Sequence, residues 1–183
     1  MNAVVDNRTS VQPDFEDIYR VNYRKVRNLC AYLLNSGSAA EDAAHEVFLR
    51  VQRKINSYNP DYSISNWILK IASNYCVDLL RKRGREKQLF IQDPVDAPDP
   101  FSDRPSPLGQ ILTFEKGETV RRALASLNEK FRIPLILSFY NDFSYDEIAA
   151  VLNISRNTVA TLLFRGKQQL RNKLKKEICH AMP

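Results

Sequence analysis

Four groups of residues in this chain carry side chains able to act on a partner. Tyr58, Tyr62 and Trp67 are interleaved with Asn59, Ser63, Ser65, Asn66 and Lys70, a composition in which aromatic faces stack unpaired bases while polar groups hold phosphates. Trp67 also fits a second role, as an anchor in a helical core. A basic run follows, Arg81, Lys82, Arg83 and Arg85 with Lys87 close behind. Cations at a helix end also suit the helix macrodipole, so this run gains its meaning from the aromatic loop upstream. Near the other end, Arg156 and then Asn157, Thr158, Thr161, Phe164, Arg165 and Gln168 lie opposite an apolar row of Val159, Leu163, Gly166, Leu170 and Leu174. Hydrogen-bonding groups, a guanidinium and one ring suit a DNA major groove, where Arg reads guanine acceptors and an apolar group touches a thymine methyl. The fourth group is acidic: Glu41, Asp42, His45, Glu46 and Leu49 share a face opposite Ala43, Ala44, Val47 and Val51. Such a face repels nucleic acid, and reads instead either as a protein-docking surface with Leu49 as its apolar centre or as an ordinary solvated acidic face with one exposed leucine.

The elements that must position these groups read as helices, because apolar residues recur at three- and four-residue spacing with no Asn-Gly or Asp-Gly hairpin signal. The period predicts a first helix over 15–34 with Phe15, Ile18, Asn22, Val26, Leu29 and Leu33 on one side, and Gly37 as its stop. Ser38 and Glu41 have capping-box spacing at the start of a second helix that reaches about Ile55. A loop over 56–65 precedes a third helix from Trp67 to Arg83. Beyond a proline-rich stretch, a helix over 111–124 leads to the apolar run Ile133–Phe139. Ser144 and Glu147 form a second capping box, Asn153 allows a tight left-handed turn, and Ser155 caps a last helix reaching about Lys176. Short helix, short turn, longer helix is the helix-turn-helix pattern.

Charge divides the chain. Residues 1–90 carry 14 basic and 10 acidic side chains, 91–118 carry 2 and 6, and 119–183 carry 11 and 5. The acidic stretch IQDPVDAPDPFSDRPSPLG holds five of the nine prolines, whose fixed φ and missing N–H favour extended chain over helix or sheet. The expected organisation is a tail over 1–13, a helical domain over 14–90, a linker over 91–110 and a helix-turn-helix domain over 111–183. Five glycines and two histidines in 183 residues leave little material for phosphate loops or multi-histidine metal sites. No cofactor, metal, catalysis or small-molecule substrate is therefore expected. Cys30, Cys76 and Cys179 are odd in number and widely spaced, which fits reduced, mostly buried thiols in a cytoplasmic protein.

The segments AAEDAAHEVFLRV, NWILKIASNYCVDLLRKRGR and LNEKFRIPLILSFYNDFSYDEIAAVLNISRNTVATLLFRGKQQLRNKL resemble, in order, regions 2.2, 2.3–2.4 and 4 of bacterial RNA polymerase sigma factors of the extracytoplasmic-function (ECF) group. The likeness covers about residues 14–90 and 111–176. It implies an all-α protein of two domains that binds core polymerase at the β′ clamp and β flap, recognises the −10 and −35 promoter elements, and helps to melt the DNA. It also implies an anti-sigma factor as inhibitor. By the same resemblance Asp42, His45 and Glu46 dock on the β′ clamp helices. Trp67, Lys70, Asn74, Asp78 and Arg81 match the region that opens and reads the −10 element, with the Tyr58–Asn66 loop placed to capture a flipped base. The chain departs from the family pattern with His45 where Gln is usual and Asn153 where Gly is common. In the run Asn157–Leu162, Ala160 and Leu162 replace frequent basic residues. Two rival readings use fewer of these features. A stand-alone helix-turn-helix regulator leaves the aromatic loop and RKRGR unexplained, and a nucleic-acid enzyme needs clustered carboxylates with His, or a phosphate loop.

Overall fold

The amphipathic period at the start of the chain folds into α1 (Phe15–Leu34), with Ile18, Asn22, Val26, Leu29 and Leu33 buried as the spacing predicts. The computed structural model describes residues 14–85 and 117–180. The expected tail and proline-rich linker lie outside them. Asn35 closes α1 in the left-handed conformation at φ 52°, and Ser36 at once caps α2 (Gly37–Lys54) by accepting from the Ala39 N–H. This corrects two expectations, since Gly37 begins α2 rather than stopping α1, and Ser38 with Glu41 forms no capping box. The earlier cap gains the Ala40 N–H to Ser36 carbonyl bond, 3.1 Å, while Asn tolerates the left-handed turn at little cost. Glu41 instead accepts from Arg27 of α1 at 2.9 Å.

A 3₁₀ turn (Ile55–Ser57) leads to α3 (Ile64–Leu80), which starts three residues before Trp67 and closes in a π-helical turn (Arg81–Arg85). The early start follows from buried Asn22, whose Oδ1 accepts from Ser65 Oγ at 2.7 Å while its Nδ2 donates to the Ile18 carbonyl at 2.8 Å. That pair ties the first turn of α3 to α1. Cys30 and Cys76 are buried free thiols in the same helical layer. A hydrogen bond to Cys30, together with burial, holds the Cys76 thiol well above its usual range and so protonated.

The second half contains α4 (Gly117–Ala125), α5 (Glu129–Tyr140), α6 (Tyr145–Leu152) and α7 (Arg156–His180). The predicted start of α4 at Ile111 lies outside the described residues. Every residue from Phe131 to Leu137 is buried, and a helix without a polar face must be covered all round. Accordingly α5 is the central helix, packed on α7 and α6 and reaching across to α1. The second capping box forms as expected: Ser144 Oγ accepts from the Glu147 N–H at 3.3 Å and the Glu147 carboxylate accepts from the Ser144 N–H at 3.0 Å. Asn153 is left-handed at φ 53°, and Ser155 Oγ accepts from the Thr158 N–H at 3.1 Å. The α6–α7 pair is a helix-turn-helix. Among the described residues all regular structure is helical, and one apolar cluster runs through both halves.

Gly166 lets α7 approach α5 closely, since a methyl there would stand 3.0 Å from Leu135 Cδ1 and 3.2 Å from Leu135 Cγ. Gly166→Ala gains about 1 kcal/mol of helix propensity, against about 1–3 kcal/mol for crowding a fully buried leucine. The expected outcome is a net loss of about 1 kcal/mol, read as a lower denaturant midpoint at unchanged m value. A gain would show that Leu135 yields.

Candidate nucleic-acid and protein-docking surfaces

The aromatic loop is pinned by its own backbone. Asn59 Oδ1 accepts from the Asp61 N–H at 3.0 Å, the Tyr62 N–H donates to the Asn59 carbonyl at 3.2 Å, and the Tyr58 hydroxyl donates to the Tyr62 carbonyl. Tyr62 is 71% exposed. Trp67 is half-buried against the core, its ring 5.3 Å from that of Tyr58 at 51°, so it has both an anchoring side and an open side. Asn66, Lys70, Asn74 and Asp78 are exposed and Arg81 half-buried. At three- and four-residue spacing, Trp67, Lys70, Asn74, Asp78 and Arg81 form one stripe along α3. Arg81 Nη1 lies 3.4 Å from Asp78 Oδ1. Lys82 and Arg83 are exposed beyond it, and Arg85 lies in the π-helical turn.

On α7, Asn157, Phe164 and Gln168 face solvent while Thr158, Thr161 and Arg165 are half-buried, and Val159, Leu163 and Leu170 are fully covered. Two of the threonines are partly committed to the helix itself. The Thr158 hydroxyl lies 2.8 Å from Ser155 Oγ, and Thr161 Oγ1 donates to the Asn157 carbonyl at 3.1 Å. Arg156 reaches back to Asp146 of α6 at 3.6 Å, bracing the turn. Lys167 lies over the Phe139 ring at 5.3 Å, where burial lowers its pKa.

The acidic face of α2 is exposed as its pattern predicts, with Leu49 47% accessible among Glu41, Asp42 and His45. Glu46 is half-buried. It accepts from Arg50 Nε at 2.9 Å, and the same guanidinium lies over the Tyr75 ring at 4.3 Å. His45 sits 5.9 Å from the Tyr23 ring. Among the described residues no three His, Cys, Asp or Glu side chains are placed to hold a metal, and no helix is long and apolar enough to cross a membrane.

The polar residues between the two halves were missed by sequence reasoning. Arg132 of α5 and Asn141 at its end are buried, as is Ser73 of α3. Asn141 Nδ2 donates to Ser73 Oγ at 2.8 Å, and Arg132 Nη2 donates to the Leu33 carbonyl at 3.4 Å. From the other side, Arg81 Nη2 donates to the Val151 carbonyl at 3.3 Å, and Lys70 Nζ lies 4.0 Å from Glu147. A signal was present, because Arg132 interrupts an otherwise apolar run and Ser73 lies among apolar residues of α3.

Comparison with known proteins aligns with this geometry. Residues 18–86 match the family model for sigma-70 region 2, and residues 117–170 match that for sigma-70 region 4. The ECF RNA polymerase sigma factor SigW of Bacillus subtilis is 28% identical over 171 residues, covering 90% of each chain. The ECF sigma factor SigE of Mycolicibacterium smegmatis is 31% identical over 167 residues, 91% of this chain and 64% of that protein. Among solved structures, the sigma factor RpoE of Bartonella quintana, in complex with the anti-sigma factor NepR, superposes with a TM-score of 0.60 at 23% identity, over 88% of this chain and 97% of that one.

Proposed function

The chain belongs to the ECF group of RNA polymerase sigma factors, and from that premise we propose how its parts divide the work of a non-catalytic, cytoplasmic specificity subunit. As a transcription initiation factor it binds core polymerase and directs it to −10 and −35 promoter elements. The carrying observation is that the region 2 and region 4 models fall in order on one chain, the second of them on a formed helix-turn-helix. Residues 14–90 dock through Asp42, His45, Glu46 and Leu49 on the β′ clamp. The same domain reads and opens the −10 element through Tyr58, Tyr62, Asn66, Trp67, Lys70, Asn74, Asp78 and the basic run Arg81, Lys82, Arg83 and Arg85. Residues 111–183, joined by the linker over 91–110, meet the β flap and read the −35 element with Arg156, Asn157, Thr158, Thr161, Phe164, Arg165 and Gln168. Lysines and arginines supply phosphate neutralisation and hence affinity, while base edges and captured unpaired bases supply sequence choice. An anti-sigma factor is the proposed inhibitor, a reading supported by the similar fold of RpoE bound to NepR.

Arg165→Ala tests the −35 assignment. A loss of about 1–3 kcal/mol confined to one base position identifies a guanine contact, whereas a uniform loss with a salt slope flattened by about one identifies a phosphate contact. Unchanged affinity removes Arg165 from the interface. The function as a whole is tested by adding the purified chain to core polymerase and mapping transcript starts on genomic DNA. Initiation at a discrete promoter set that core alone ignores is the expected result. Sequence-specific duplex binding without any affinity for core polymerase would establish a stand-alone regulator instead.

A further inference from the structure

A groove of about 720 Å³ opens between α1, the turn that joins it to α2, and α4, inside the range of about 300–1,000 Å³ typical of small-ligand sites. None of its residues is among those assigned above to promoter DNA or to polymerase. Arg24 and Arg27 of α1 stand on one wall and Arg121 and Arg122 of α4 on the other, while Glu118 is the single carboxylate in the lining. Asn28 and Asn35 add side-chain amides.

The arginines are oriented rather than neutralised. Arg27 donates to Glu41 from Nε at 3.3 Å and from Nη2 at 2.9 Å, and that carboxylate lies outside the lining. Arg121 Nη2 donates to Glu118 at 2.8 Å; both members are more than half exposed, 59% and 58%, so solvent screens the pair and an incoming anion can replace it. Four guanidiniums against these two carboxylates leave an excess of positive charge, which a concave surface focuses. At one end Tyr32, Leu124 and Tyr140 are shared with an apolar notch of about 50 Å³ that includes Val120, Phe139 and Leu170. The Tyr32 and Tyr140 rings form a corner there, 5.6 Å apart at 55°. The Tyr140 hydroxyl donates to the Lys25 carbonyl at 3.3 Å, and burial pushes that phenol up to about 12, so it carries no charge to oppose an anion.

We propose that this groove binds a small oligophosphate, a linear di- or triphosphate either free or carried on a nucleoside, gripped by Arg24 and Arg27 on one wall and by Arg121 and Arg122 on the other. Guanidinium forks match phosphate oxygens two at a time. A lone carboxylate or sulfate would satisfy one wall only, whereas linked phosphates carry charge to both. On a nucleoside, the base has the Tyr32 and Tyr140 corner to lie against. The site stands independently of the DNA and polymerase assignments.

The test is calorimetric titration of the full chain at about 0.15 M salt, without divalent cations, using inorganic tripolyphosphate and ATP as separate probes. The expected result for tripolyphosphate is saturable binding of one ligand per chain, weakened about tenfold by Arg24→Gln and about tenfold by Arg121→Gln, since each removes a charged hydrogen-bond donor from a different wall. Arg53→Gln combined with Lys54→Gln removes two exposed charges at the end of α2 and should leave the affinity within about twofold. Circular dichroism checks that every variant keeps its helix content; if Arg121→Gln unfolds, Arg122→Gln takes its place and is read in the same way. ATP binding no tighter than tripolyphosphate shows that the phosphate chain alone is recognised. Tighter ATP binding, with the advantage lost in Tyr32→Ala, places the base in the aromatic corner; both results keep the site. Binding of ATP without binding of tripolyphosphate overturns it. So does an affinity that falls as far in the Arg53 and Lys54 variant as in the groove variants, which would mark attraction to net charge alone, or a failure to saturate by about 1 mM tripolyphosphate.

Discussion

Trp67→Ala should cost about 2–3 kcal/mol of stability, below the range for a fully buried tryptophan because only one side of the ring is covered. It should also impair promoter opening well beyond that loss. The half-buried ring rests on the core and on Tyr58 at 5.3 Å, so truncation removes packing there. Its other side is open, as is Tyr62 of the preceding loop, 71% exposed, and stacking on a base is worth about 1–3 kcal/mol by alanine substitution. The two effects separate experimentally. Thermal melting reports the packing, while permanganate reactivity of unpaired thymines reports strand opening in a polymerase complex already formed. The expected pattern is near-normal closed complexes with opening reduced about tenfold or more, partly restored by Trp67→Phe, which keeps an aromatic face. Loss of closed and open complexes in equal proportion to the unfolded fraction would leave Trp67 as a core anchor alone.

Legibility in the sequence followed the range of the interaction. Periodicity located α1, and the residues Ile18, Asn22, Val26, Leu29 and Leu33 are buried along the predicted side. The capping box at Ser144 and the left-handed Asn153 were readable because each is decided within four residues. The turn after α1 was misread because Asn35, Ser36, Gly37 and Ser38 offer two overlapping ways to end one helix and start the next, and spacing does not rank them. An additional backbone bond from Ala40 to Ser36 decided the matter. Nothing local reports the Arg132 to Leu33 or Asn141 to Ser73 bonds, whose partners are 99 and 68 residues apart. The surface residues were the easier case, since an exposed face is simply the complement of a buried one. Asp42, His45 and Leu49 on α2 and Asn157, Phe164 and Gln168 on α7 are all exposed. The pairing of Glu46 with Arg50 was not foreseen, and it changes how the docking face must be tested.

Glu46→Lys is expected to weaken binding to core polymerase by about 2–4 kcal/mol, the range for removing one partner of a close charge pair and leaving the other opposed. Part of the change is internal, because Glu46 accepts from Arg50 at 2.9 Å and orients a guanidinium that lies over Tyr75 at 4.3 Å. Both members of the pair are about a third exposed, 31% and 39%, so solvent screens it and its loss within one helix is worth about 0.3–0.5 kcal/mol. The intermolecular effect should therefore exceed the internal one several-fold, with the melting temperature little altered. A charge swap discriminates further. Glu46→Arg combined with Arg50→Glu keeps an ion pair on the helix but places the acidic group one turn away. If the carboxylate at position 46 meets a cation on the clamp, the swapped chain should bind as poorly as Glu46→Lys. Recovery of binding in the swap would mean that an ion pair on this face suffices wherever its acidic member stands, and would remove a specific contact of the Glu46 carboxylate with the clamp. Undiminished co-purification of Glu46→Lys with core polymerase would remove this face from the interface. If the proposed attraction belongs to the acidic surface as a whole, Asp42→Lys, an exposed position on the same face, should reproduce the binding defect, and the defect should shrink with salt, which screens charges over about 10 Å at 0.1 M.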